Sequence, residues 1–151
     1  MIRTNVTRQD SGLWNRIKRV ARDYTTKVEV GYFGNQTHSG KRPITMKTLA
    51  SFHEYGTRKM PARPFIRPAL KQNRMKYLKL AGKQITPCIL GRQTTSNVWH
   101  LLGAEAVKDV QDHMINGTFT PLKPATIKRK GSSKPLIDTG QLRQSITYKV
   151  K

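Results

Sequence analysis

The chain has 151 residues, enough for one domain with a real core, and 36% of them are apolar, clustered periodically rather than diluted as in a disordered chain. Twenty-nine lysines and arginines stand against eight acidic residues, a net charge of +21 that repels itself in a folded chain unless a polyanion or an acidic neighbour relieves it. The single cysteine, Cys88, excludes an internal disulfide and a cysteine-rich zinc site; no apolar run reaches the ~20 residues of a membrane span, and Met1 to Gln9 is a polar arm without the apolar stretch of a signal peptide.

Asp10 or Ser11 can cap a first helix, in which Leu13, Trp14, Ile17 and Val20 or Ala21 recur at helical spacing. From Thr26 to Phe33 the period changes to two, and the β-branched and aromatic content predicts a strand. Residues 34–43, rich in Gly, Asn, Ser and Thr, read as a long loop. A second helix is expected between Pro43 and Tyr55, capped by Thr45 and stopped at Gly56. Pro64 and Pro68 then bracket Phe65-Ile66-Arg67, an extended entry into one long amphipathic helix. Ile66, Leu70, Asn73, Tyr77, Leu80 and Ala81 share its apolar face, Arg67, Lys71 and Arg74 form a second stripe, and Lys76, Lys79 and Lys83 a third. Pro87 ends or kinks it, and the apolar setting of Cys88 points to a buried, inert thiol.

Thr95 or Ser96 caps the next helix, which carries Val98, Leu102, Ala106, Val110 and Met114 at strict four-residue steps and stops at Asn116-Gly117. Residues 118–140 form a second long loop of turns, interrupted by a short helix from Pro124 to Lys130. Gln141 to Ser145 adds a helical turn, and Ile146, Tyr148 and Val150 alternate as a closing strand. The pattern is α+β: about four helices packed with a small, mainly antiparallel sheet in a single domain. Two strands alone make a marginal sheet, so further strands come from segments such as Gly34 to Pro43 or from neighbouring subunits.

Little here resembles an active site. Asp138-Thr139-Gly140 is the tripeptide in which aspartic proteases place a catalytic carboxylate, but there is one copy and only eleven residues follow it. A tight turn, with Asp138 accepting backbone hydrogen bonds and Gly140 at positive φ, is the plainer reading. His53-Glu54 lacks the second histidine of a zincin, because Thr57 stands at that place, and His38, His100 and His113 have no ligand spacing. We therefore expect no catalysis, metal, cofactor or small-molecule substrate. The charge is more informative. Between Glu54 and Glu105 there is no acidic residue and ten cations, and Lys128-Arg129-Lys130 opens a Gly-Ser-Ser segment that reads as a mobile basic loop. No aromatic interleaving or zinc-finger spacing accompanies them, which favours phosphate contact over base reading. A sequence-nonspecific nucleic-acid-binding accessory protein is one function that fits.

Four blocks, taken in order, point further. They are Gly31-Tyr32-Phe33-Gly34; His53 to Thr57 leading into Pro61 to Leu70 (PARPFIRPAL); Pro121 to Ser132; and Pro135 to Ile146 (PLIDTGQLRQSI). Together they resemble the tail-completion, or head–tail joining, proteins of long-tailed bacteriophages, a family similar in fold to tail terminators. The resemblance spans roughly Val28 to Val150. It implies a structural virion protein of the neck, assembled in the host cytoplasm into a ring, typically six-fold, around the DNA channel. Its neighbours would be head-side connector or stopper proteins and tail tube or tail terminator proteins, with nonspecific contact to packaged DNA and no membrane. A ring needs one surface of each subunit to meet a different surface of the next. We expect Met60, Phe65 and Ile66 on the proline-braced hook from Met60 to Ile66, together with Tyr55 before it, to serve as interface residues. Arg58, Lys59, Arg63, Arg67, Lys71, Arg74, Lys128, Arg129 and Lys130 are the expected contacts to the DNA channel or an acidic partner.

Overall fold

The computed structural model describes residues 12–38 and 44–151; the polar arm and the Asp10 and Ser11 caps lie outside the described residues. In chain order these residues form α1 (Leu13–Asp23), β1 (Val28–Gly31), β2 (Thr37–His38), β3 (Ile44–Thr45), α2 (Met46–Tyr55), α3 (Ile66–Gln72), α4 (Arg74–Ile89), α5 (Thr95–Asn116), α6 (Pro124–Lys130), α7 (Gln141–Gln144) and β4 (Thr147–Val150). The fold is α+β, a single domain with two small antiparallel ladders. β1 pairs with β4, Val28 opposite Val150 and Gly31 opposite Thr147, so the first strand is closed by the last. β2, within residues 34–43, which are read as loop but named as a source of further strands, pairs with β3 just beyond that stretch in a separate two-residue ladder. Neither strand of the β1–β4 pair has a second partner among the described residues.

The organising element is α5. Its four-residue stripe packs as the spacing predicts: Val98, Leu102, Ala106, Val110 and Met114 are all buried. Its N-terminal half belongs to a cluster with Val20, Cys88 and Trp99, against which Tyr77, Leu80 and Ala81 pack. Its C-terminal half belongs to a second cluster with Tyr32, Met46, Ala50, Phe65, Ala69, Leu136, Leu142 and Ile146. Gly103 lets the sheet lie close, because a Cβ there would overlap the Tyr148 ring. Polar ties fix the neighbours. Trp99 Nε1 donates to the Asp23 carbonyl (3.2 Å) and Thr95 Oγ1 to the Asp23 carboxylate (2.8 Å), joining α1 to α5. The buried Asp109 receives Lys76 Nζ at 2.6 Å and the Tyr77 hydroxyl at 2.8 Å, joining α4 to α5. Lys76, from the third basic stripe, is thus committed to these carboxylates while staying exposed, and it is shared with Glu105 at 2.7 Å.

Three boundaries differ from expectation. The helix predicted to run unbroken from Ile66 divides at Asn73, whose side-chain amide and backbone N–H both donate to the Ala69 carbonyl. That local competition for one acceptor interrupts the ladder. Pro87 does not end α4, which continues two residues to Ile89, because a proline in the last turn removes a single hydrogen bond and the following N–H groups of Leu90, Gly91 and Arg92 still find acceptors. The cap of α5 is Thr94, one residue before the expected pair, with its hydroxyl accepting from Asn97 N–H at 3.2 Å. Thr45 caps α2 as predicted, accepting from Thr48 N–H at 3.1 Å.

Candidate functional site

The segment from His53 to Leu70 is built around a buried carboxylate. α3 begins Phe65-Ile66-Arg67-Pro68, with no capping side chain at its start and no acidic residue in its first turn. Glu54, at the end of α2, supplies what is missing. Oε2 accepts from the backbone N–H of Phe65 (2.7 Å) and Ile66 (3.0 Å), and Oε1 accepts from the Arg67 backbone N–H (3.1 Å) and Nε (3.0 Å). Three orphan donors of a helix N-terminus and one guanidinium converge on a side chain that is only 4% exposed. Burial alone would raise this carboxyl, but the hydrogen bonds from Ile66, Phe65 and Arg67 outweigh it and hold Glu54 below its ordinary value.

Between these partners the chain turns back on itself. Thr57 and Met60 exchange backbone hydrogen bonds, Thr57 N–H to Met60 O at 2.8 Å and Met60 N–H to Thr57 O at 3.2 Å. Arg63 N–H returns to His53 O at 2.7 Å. Gly56 sits at φ 77°, and a Cβ there would approach the Ala62 backbone nitrogen to 2.8 Å, so the elbow requires glycine on both counts.

This geometry corrects several expectations. Phe65 is not an interface anchor: it is 0% exposed and packs edge-on against Tyr32 in the core. Pro64 delivers it inward, because Glu54 pulls the backbone of residues 65–67 down onto α2. Ile66 is half-buried against the same core. Arg63 is not a channel cation. It is 4% exposed, and its guanidinium donates Nε to Thr120 O (2.7 Å) and Nη2 to Pro121 O (3.0 Å), tying the elbow to the segment before α6. Arg67 is spent on Glu54 and lies over the Tyr55 ring at 4.6 Å. Lys128 to Lys130 form the last turn of α6, as the predicted helix from Pro124 to Lys130 requires, Gly131 ends it at φ 72°, and Lys130 Nζ donates to Lys134 O. Gly140 takes positive φ as predicted, but no backbone N–H donates to Asp138 among the described residues; Gln141 N–H instead reaches Thr139 Oγ1 at 3.4 Å. What remains exposed of the expected interface is Tyr55, with Met60 half-buried. Of the expected cations, Arg58, Lys59, Lys71, Arg74, Lys128 and Arg129 are exposed, as is Arg67 despite its pairing with Glu54.

The elbow and the segment from Leu122 to Leu142 enclose a cleft of about 420 Å³. His38, His53, Lys59 and Arg63 line one side, and Lys123, Arg129 and Lys130 the other, with Asp138 the one carboxylate among the described lining residues. A proton-sharing carboxylate pair is therefore not assembled there within one chain. Among the described residues no group of histidines, cysteines and carboxylates has the arrangement to hold a metal ion. The His53 Nδ1 is buried without a hydrogen-bond partner, and burial, with the Arg63 and Lys130 charges adding to it, pulls the imidazole down to about 4. The unfolded chain protonates this side chain near 6.5, so unfolding takes up a proton between pH 6.5 and 4, and stability falls as pH falls through that window. Glu54, ionised below its ordinary range when folded, adds a loss of the same sign at lower pH. Denaturant titrations at pH 7 and pH 4.5 should show His53→Gln losing less stability on acidification than the wild type, by about 2 kcal/mol. Parallel losses in the two proteins would show that His53 is not the group responsible.

Lys59, Met60, Arg63, Arg129, Lys130, Asp138 and Gly140, each singled out from the sequence, meet in this cleft, which sequence reading did not foresee as a cavity; it also missed Glu54 as a cap. A signal for the second existed: a helix start of Phe-Ile-Arg-Pro has no Ser, Thr, Asp or Asn to satisfy its N–H groups, so a distant acceptor was required. No known protein family matches this chain, and no curated protein or solved structure is significantly similar to it.

Proposed function

We propose that this chain is a structural subunit of the neck of a tailed bacteriophage, joining the DNA-filled head to the tail as one member of a ring. The observation that carries the reading is that the resembling blocks pack together rather than lying scattered. His53 to Thr57 grips Pro61 to Leu70 through Glu54, and both close over the stretch from Pro121 to Leu142 through Arg63 and the shared cleft. That β1 and β4 pair with no further strand among the described residues gives a second support, because a two-stranded ladder is marginal alone and offers backbone donors and acceptors to an adjoining subunit. Charge gives a third. Several +21 chains around one axis need a polyanion or acidic neighbours, and Arg58, Lys59, Lys71 and Arg74 are free to face them.

The test is copy number and consequence. Mass measurement of purified particles should find this chain in a fixed small multiple, and Lys71→Glu/Arg74→Glu should fold normally yet yield fewer DNA-filled particles. Absence of the chain from mature particles ends the reading. The charge alone also fits a sequence-nonspecific nucleic-acid-binding accessory protein; steeply salt-dependent DNA binding by the isolated monomer, with no assembly, would favour that alternative.

A further inference from the structure

We propose that the cleft between the elbow and α6 is a docking site for an acidic peptide segment of a partner protein, an aspartate or glutamate flanked by an apolar residue. Charge complementarity names the first half of that ligand. Arg63 is buried, and with Nε and Nη2 committed to carbonyls its Nη1 has no partner among the described residues. His53 lines the same wall with a buried, unpartnered ring nitrogen, and Lys130 lies opposite. Lys59 and Arg129 are exposed lining cations that make no ion pair among the described residues. A carboxylate entering here meets charge-assisted donors in a partly desolvated setting, where each such bond is stronger than a neutral one.

The apolar half of the lining names the rest. Leu49, Met60, Pro61, Leu122, Leu136 and Leu142 face the same space, which suits a hydrocarbon side chain beside the carboxylate. A duplex presents its phosphates on a convex surface too broad to enter a concavity of this size, and phosphodiesters make no use of an apolar wall. The inward charges are therefore better matched to peptide than to DNA. This proposal stands apart from the neck assignment, since any acidic partner would satisfy it.

Fluorescence anisotropy on the full chain at 0.15 M salt tests it with three probes: a labelled hexapeptide alternating glutamate and leucine, one alternating glutamate and serine, and a DNA duplex. Two variants of equal charge change are compared, Lys59→Glu/Arg129→Glu in the cleft and Arg19→Glu/Lys108→Glu away from it, with thermal melts to establish that both fold. The expected result is saturable binding of the glutamate–leucine peptide, weakened at least tenfold by the cleft pair and less than twofold by the remote pair, with the serine peptide several-fold weaker. Absence of saturable peptide binding overturns the proposal. So do equal losses in the two variants, equal affinity for the serine peptide, or DNA binding that depends selectively on the cleft pair.

Discussion

Replacing Glu54 with glutamine is expected to lower folding stability by about 3 kcal/mol, a large effect for a change of one oxygen to an amide. Each carboxylate oxygen accepts two hydrogen bonds, one from Phe65 and Ile66 N–H, the other from Arg67 N–H and Nε. Whichever position the amide takes, its own N–H groups point at two donors, which lose their acceptor. Arg67 also loses its counter-charge and with it the reason to lie over Tyr55. Aspartate cannot rescue the site, being one methylene too short to span from α2 to α3. Chemical denaturation at pH 7 of wild type, Glu54→Gln and Glu54→Asp provides the measurement. A loss below about 0.5 kcal/mol in the glutamine variant would mean that water, not Glu54, can serve these N–H groups.

The second large effect is at Phe65. Truncation to alanine should cost about 3–5 kcal/mol, because the ring is fully enclosed by the cluster of Tyr32, Met46, Ala50, Ala69 and Val110 and nothing nearby can collapse into its place. The loss belongs to the isolated chain and should be the same at any protein concentration. A variant that melts like the wild type and fails only in assembly would restore the interface role that the proline-rich setting first indicated. Tyr55, at 66% exposure, is the better candidate for an exposed contact.

The contrast between these residues shows where sequence reading succeeds. The stripe of α5 was legible because four-residue steps of apolar side chains have one helical solution, and Thr45 was legible because a hydroxyl before a helix has one common use. The cations were not. A lysine or arginine carries the same charge whether it is left to solvent or paired within the fold, and Arg63, Arg67 and Lys76 are paired with carbonyls and carboxylates remote in sequence, the last two while still exposed. Phe65 was misread for a related reason: prolines on either side mark a stiff backbone but not the direction in which it is bent, which Glu54 decides from eleven residues away. The cleft joins His53 to Asp138 and follows from packing alone, so no local pattern could announce it.

α5 is long enough, at about 33 Å for its 22 residues, to be a beam rather than a strut. Val98 and Leu102 anchor one end and Val110 and Met114 the other, so neither apolar cluster can come apart without unseating the helix that the other depends on. A displacement of the elbow is therefore expected to pass along this one helix toward α1 rather than to die out between the two clusters.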